Sequence, residues 1–320
     1  MLEEFVGWFL YSLFKLDPTA KWVESIHFFI GDSIKIILLL FFMILIIGFF
    51  RTYLPQQKIK KWIGKGKYGL SNLISSSFGA ITPFCSCSSI PIFIGFLEAG
   101  VPLGVAFSFL ITSPLVNEYL VILMLGFFGW KITLAYVISG MFVGIVSGLV
   151  LGKLNLGKYI IKDLVASKKK VQEVKYSNFK ERIGFGYNEA ISIVKKIWLW
   201  ILVGVGVGAV IHNYVPATVI QSLISKGGIF AVPLAVILGV PMYGSCAAIV
   251  PIAVVLFEKG VPLGTALAFM MAIAALSFPE AVILRRAMKL KLILIFFGVV
   301  TLAIILTGYV YNVLQAVLVI

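Results

Sequence analysis

Long apolar runs separated by short polar stretches dominate this chain. Uncharged or nearly uncharged runs cover Ser33–Phe50, Gly69–Leu97, Leu103–Leu125, Phe128–Leu151, Ile191–His212, Gly228–Phe257, Leu263–Leu284 and Leu292–Leu314. Each is close to or longer than the roughly 20 residues needed to cross a hydrocarbon core. Two runs differ from the rest. Gly69–Leu97 is rich in Ser and interrupted by Pro83 and Pro91, and Gly228–Phe257 is interrupted by Pro233, Pro241 and Pro251. Such prolines free backbone groups inside a helix. Each of these runs therefore predicts two short arms of about 12–15 residues, too short to span singly. A pair of short full crossings is the alternative to a re-entrant hairpin, and both give the same parity.

The pattern repeats. Residues Pro91–Phe109 match Pro251–Phe269 at a constant offset of 160, with ten of nineteen positions identical. Apolar bias alone does not place Glu98, Gly100, Val101-Pro102-Leu103-Gly104 in register with Glu258, Gly260 and Val261-Pro262-Leu263-Gly264. Each half then reads as span, hairpin, span, span. Three crossings per half is an odd number, so the second half is expected upside down relative to the first, as in inverted-repeat transporters. The predicted fold is an all-α polytopic membrane protein of two inverted repeats, each with three spanning helices and a proline-broken re-entrant hairpin.

Composition agrees. Of 320 residues 61% are hydrophobic and 12% charged, against about 25% charged in soluble domains, and mean hydropathy is +1.07. The net charge of +14 follows from orientation. Basic residues cluster in three loops: Arg51–Lys67, the stretch from Lys153 to Arg182, and Arg285–Lys291. Short basic loops belong in the cytoplasm. That placement leaves both termini outside and accounts for most of the 27 Lys and Arg residues, so nucleic acid is not an expected partner. The expected organisation is an interfacial segment over 1–32, a first membrane repeat over 33–151, a basic cytoplasmic linker over 152–190 and a second, inverted repeat over 191–320. The first residues carry Glu3 and Glu4 rather than basic residues, so no cleavable signal peptide is expected.

Candidate chemistry lies where the long runs break. Non-helical backbone at membrane depth survives only where it lines a cavity or is buried in protein. The first tip offers Pro83, Cys85, Ser86, Cys87 and Ser88, and the second offers Tyr243, Ser245 and Cys246. In an extended stretch Cys85 and Cys87 face the same way, so they suit a soft ion or metalloid. The bland alternative is small residues that permit close helix packing. Three cysteines give no disulfide framework, and no resident metal is assigned. Glu118, beside Asn117, and Glu280 are acidic residues well inside predicted spans, where carboxylates are functional candidates. Both are expected to couple an ion, with pairing to Arg285 or Arg286 as the structural alternative for Glu280.

These residues carry a family resemblance. Thr82-Pro83-Phe84-Cys85-Ser86-Cys87-Ser88-Ser89-Ile90-Pro91, the two Gly-Val-Pro-Leu-Gly stretches, Phe269-Met270-Met271-Ala272 and Ser277-Phe278-Pro279-Glu280 resemble the predicted-permease family that includes ArsP-type organoarsenical efflux permeases. The resemblance implies a prokaryotic permease of the plasma or inner membrane and, for some members, export of thiol-seeking trivalent organoarsenicals. No Gly-x-x-x-x-Gly-Lys-Ser/Thr motif is present, so active transport would use an ion gradient or a separate ATPase. The expected function is a secondary transporter that is not an enzyme and carries no cofactor. The lipid bilayer and a small solute are its expected partners, and a homo-oligomer is an open alternative. A channel with its filter at the tips and a membrane thiol-redox or metal-binding protein are the competing readings.

Overall fold

The computed structural model describes residues 6–13, 21–52, 69–82, 86–161, 178–214, 227–242, 246–285 and 287–318. Among them the backbone is almost wholly helical and carries no strand, only one isolated bridge between Ile160 and Met288. Eleven α-helices follow in order: α1 Lys21–Arg51, α2 Leu70–Ile81, α3 Ser86–Glu98, α4 Leu103–Leu115, α5 Glu118–Lys153, α6 Phe179–Tyr214, α7 Ala231–Gly239, α8 Cys246–Glu258, α9 Leu263–Ala275, α10 Phe278–Leu284 and α11 Leu290–Leu318. Among the described residues, three stretches are long and apolar enough to cross a membrane by length and composition: Glu118–Lys153, Leu263–Leu284 and Leu290–Gln315.

The chain divides into two compact units. The first pairs α1 with α6. Phe29 lies against Gly206, Phe41 meets Tyr187 at 5.8 Å and Phe49 meets Phe179 at 5.3 Å. Rising numbers on one helix meet falling numbers on the other, so the two run antiparallel. Arg182 Nη1 closes one end by donating to Thr52 O at 3.0 Å and Thr52 Oγ1 at 3.1 Å. Both helices start before their apolar runs do, at Lys21 rather than Ser33 and at Phe179 rather than Ile191. The Phe49–Phe179 and Arg182–Thr52 contacts hold the more polar start of α6 on the end of α1.

The second unit holds the remaining helices. α4 and α9 form its core: every residue of α4 from Gly104 onward is buried, as is every residue of α9 except Ala274. α4 packs against α2, α3 and α5, and α9 against α7, α8 and α11. The offset of 160 governs this unit well beyond the matched sequence. α3 and α8 cover equivalent residues, and so do α4 and α9. The turn after α3 is bonded Ala99 N–H to Gly95 O, Gly100 to Leu97 and Val101 to Phe96. The turn after α8 repeats this as Lys259 to Val255, Gly260 to Phe257 and Val261 to Leu256. Gly100 and Gly260 sit at φ 77° and 88°, the left-handed helix end that glycine adopts without a Cβ clash.

The second half of each repeat is broken where hydropathy predicts one continuous span. α4 stops at Leu115 and α5 starts at Glu118. Pro114 has no N–H, so the Leu110 carbonyl loses its helical donor. Asn117 then caps the new helix, its side chain accepting from Tyr119 N–H at 2.8 Å. α9 likewise stops at Ala275 and α10 starts at Phe278, with Pro279 in its first turn. α5 turns again at Gly129, where φ 76° and ψ 175° are not helical. Adding 160 to that position gives Lys289, in the break between α10 and α11.

Candidate functional site

Close packing in the first repeat is built from small and hydroxyl-bearing residues. Gly104, Ser108 and Thr112 form one row on α4 at four-residue spacing, facing Gly144, Gly148 and Gly152 on α5. A Cβ on Gly104 would lie 2.5 Å from Gly148 O, one on Gly148 would fall on Ser108 Oγ, and one on Gly144 on Thr112 Oγ1. Polar groups bind α2 into this groove. Asn72 Nδ2 donates to Gly104 O (3.1 Å) and Ser108 Oγ (2.9 Å), and Ser75 Oγ to Val105 O (2.8 Å). Ser76 Oγ and Thr112 Oγ1 are 2.6 Å apart, and Ser76 also reaches Met141 O at 3.2 Å. From α3, Ser89 Oγ donates to Ser113 Oγ at 2.9 Å. Gly104 and Ser89 entered the sequence analysis only through the repeat and the family motif, and none of these residues was assigned a packing role. The signal was present in the four-residue spacing of Gly, Ser and Thr, the small-residue pattern of packed membrane helices.

The arms after the two tips exchange partners. α3 packs against α10 of the second repeat, and α8 packs against α5 of the first. Phe257 near the end of α8 meets Phe128, just before the turn of α5, with ring centroids 6.2 Å apart. α4 also touches α9, and Phe107 stacks on Phe296 of α11 at 5.4 Å. Ser139 Oγ and Tyr311 OH add a 2.6 Å hydrogen bond between the long helices α5 and α11.

The predicted site residues distribute over this frame as follows. Pro83, Cys85, Tyr243 and Ser245 lie outside the described residues. Ser86, Cys87 and Ser88 open α3, and Cys246 opens α8, so these four occupy first-turn positions of half-length helices. Asn117 caps α5, and Glu118 is its exposed first residue. Glu280 lies in the first turn of α10 with only 1% of its surface exposed, and both carboxylate oxygens are shut off from solvent. α10 is the helix on which α3 rests, so the buried carboxyl belongs to the element supporting the Cys-Ser-Cys arm. Among the described residues no group of His, Cys, Asp and Glu is placed to hold a metal ion.

A helical bundle with apolar membrane-length helices and buried half-length arms defines a polytopic membrane protein. The chain belongs to the ArsP_1 family of predicted permeases, whose family model matches residues 21–313. A protein of Streptococcus mutans named as a candidate subunit of a two-component membrane permease complex is 29% identical over 180 residues, 55% of this chain and 58% of that protein. A UPF0718 protein of Methanocaldococcus jannaschii is 20% identical over 340 residues, 88% of this chain and 93% of its own length. The match thus covers less than two thirds of the streptococcal relative. No solved structure matches the chain. By family the chain is a predicted permease.

Proposed function

We propose that this permease is a secondary carrier rather than a channel or an enzyme, and that it works in the plasma membrane of a prokaryote. In this reading residues 33–151 and 191–320 form two repeats inverted across the membrane. α2–α3 and α7–α8 are re-entrant hairpins, and the solute binds near the midplane between their tips. The observation that carries the reading is the exchange of partners: each tip leads into an arm packed on the broken helix of the opposite repeat. α3 and α8 have 13 residues each, about 20 Å of helix, well short of a hydrocarbon core. Arms of that length end at depth, and their N-terminal dipoles favour negative charge there. Pro83, Cys85, Ser86, Cys87, Ser88, Asn117, Tyr243, Ser245 and Cys246 line this site. Thiolates select soft ions, so the solute class is a thiol-seeking metalloid such as a trivalent organoarsenical. The relative named for a two-component complex motivates a partner subunit as well.

Coupling falls to Glu280, with Glu118 as second candidate. A carboxyl sealed inside the bundle is tolerable only when neutral or compensated, so taking up and releasing a cation or proton there is tied to opening of the site. Flux of a trivalent methylarsenical into proteoliposomes, with and without a pH gradient, tests the reading. Glu280→Gln is expected to abolish gradient-driven accumulation while solute exchange without a gradient persists, and Glu118→Gln is expected to retain both. The reverse pattern moves coupling to Glu118. Unsaturable flux without exchange means a channel.

A further inference from the structure

Where α5 ends, the chain is stitched to the segment that starts α11. After Lys153 it passes through Asn155 and a single 3₁₀ turn, Leu156–Tyr159. Leu156 and Ile160 are buried, as are Ala287 and Met288 opposite them. Ile160 bridges Met288, Ile161 N–H donates to Ala287 O at 3.1 Å, and Lys289 N–H donates to Tyr159 O at 2.9 Å. This backbone stitch fixes Tyr159. Two lysines from different segments share its ring: Lys158 Nζ lies 5.2 Å and Lys291 Nζ 5.5 Å from the centroid.

A ring face attracts one ammonium, but two beside the same ring repel each other. Among the described residues neither Lys158 nor Lys291 is paired with a carboxylate, and Lys153 and Lys289 add exposed positive charge nearby in sequence. The hydrogen bond from Lys291 and the charges of both lysines hold the Tyr159 hydroxyl below the usual tyrosine range, a mark of uncompensated positive field. The depth of the cluster follows from its neighbours. It joins the end of one apolar membrane-length helix to the start of another, which is the headgroup level. Leu290 and Leu294 next to it, one turn apart on α11, are exposed at 52% and 63%.

We propose that Lys158, Tyr159 and Lys291 form a binding site for the headgroup of an anionic phospholipid. Its phosphate sits between the two ammonium groups and its acyl chains lie along Leu290 and Leu294. The inward basic loops predicted by the charge pattern put this site in the cytoplasmic leaflet, where anionic lipid attracts basic clusters. Occupancy would clamp the start of the linker onto α11.

The full chain in nanodiscs of phosphatidylcholine, with and without about 20 mol% phosphatidylglycerol to supply an anionic surface, tests this by thermal unfolding and by lipid retained on extraction. Wild-type protein is expected to retain phosphatidylglycerol selectively and to melt higher with it. The preference should weaken about fivefold for each lysine lost in Lys158→Gln and Lys291→Gln, and survive in Lys158→Arg with Lys291→Arg. Should the Gln variants fold poorly, salt titration of the wild type decides, since raised ionic strength must erode the preference. Equal retention of both lipids by wild type, or an undiminished preference in the folded Gln double variant, overturns the site. Inorganic phosphate alone reproducing the full stabilisation overturns the lipid assignment in favour of a soluble anion.

Discussion

At the scale of single residues, Glu118 and Glu280 look like a matched pair, each beside a helix breaker after the repeated Gly-Val-Pro-Leu-Gly stretch. They are not equivalent. At the offset of 160, Glu118 falls on Phe278 and Glu280 on Leu120. Two positions along a helix turn a side chain by about 200°, onto the opposite face. The burial pattern follows position rather than chemistry: Glu118 and Phe278 are exposed, Glu280 and Leu120 buried. The sequence flags both carboxyls as candidates, but only the packed helices separate them, because the apolar surroundings carry no period that tells core from lipid. Tyr159 escaped the sequence reading altogether, since its two lysines lie 133 positions apart in number yet meet at one ring. Its field has a direct readout. With its hydroxyl held below the ordinary value of about 10, Tyr159 should form phenolate at lower pH than a free tyrosine. The absorbance difference between wild type and Tyr159→Phe isolates that group. Lys291→Gln is expected to move the transition upward. No movement would mean that neither the hydrogen bond nor the charge of Lys291 reaches the ring in solution.

At the scale of helices, the two repeats share a frame but differ in what fills it. Asn72, Ser75, Ser76, Ser89, Ser108, Thr112 and Ser113 correspond to Val232, Ala235, Val236, Ile249, Ala268, Ala272 and Ile273. Every buried polar group that ties α2 and α3 to α4 is thus apolar between α7, α8 and α9. The close approaches survive this change. Gly79 lies against Phe109 O as Gly239 lies against Phe269 O, and Gly104 against Gly148 as Gly264 against Gly308. Packing, common to both repeats, is therefore the essential term, and hydrogen bonds between membrane helices contribute only about 0.6 kcal/mol on average. Thermal unfolding in detergent checks this ranking. Ser76→Val with Thr112→Ala, which installs the residues of the second repeat, removes both partners together and is expected to cost under about 1 kcal/mol. Gly148→Val drives a side chain into Ser108 and should cost about 1–3 kcal/mol or more. A double variant less stable than Gly148→Val would make the hydroxyl ladder, not the glycine groove, the main tie. The short helices α2, α3, α7 and α8 were legible from the prolines between and within them, as were the tight turns after Glu98 and Glu258. The breaks at Val116 and Leu276 were legible only in part: Pro114 and Pro279 mark helix breakers there, but hydropathy runs through both breaks unchanged, and a single residue at the N-cap position, Asn117 or Ser277, starts each new helix.

At the scale of the whole molecule, a constant offset joins sequence to fold: the limits of α3 and α8 and of α4 and α9, the turn hydrogen bonds after α3 and α8, and the glycine contacts on α4 and α9 recur 160 residues apart. The offset extends to α1 and α6, since Lys21–Arg51 shifted by 160 falls inside Phe179–Tyr214. Such a duplication can be parallel or inverted, and the difference lies in the parity of crossings per half. If α2–α3 and α7–α8 each return to the face they entered from, each repeat crosses three times and the second must be inverted. The turns after α3 and α8 then lie on opposite faces although their hydrogen bonds are the same. Pro102 and Pro262 are equivalent, both exposed, and cap α4 and α9, so they are matched reporters. In a background with Cys85, Cys87 and Cys246 replaced by Ser, Pro102→Cys is expected to react with an impermeant maleimide only from the cytoplasmic side. Pro262→Cys should react only from the outside, and Gly157→Cys, in the basic linker, marks the cytoplasmic face. The electrostatic argument points the same way, because the positive-inside rule would put Arg285, Lys289 and Lys291 of the second repeat on the inner face with the linker. Labelling of Pro102→Cys and Pro262→Cys from one and the same side would make the repeats parallel. It would also remove the midplane meeting of the two tips on which the carrier reading depends.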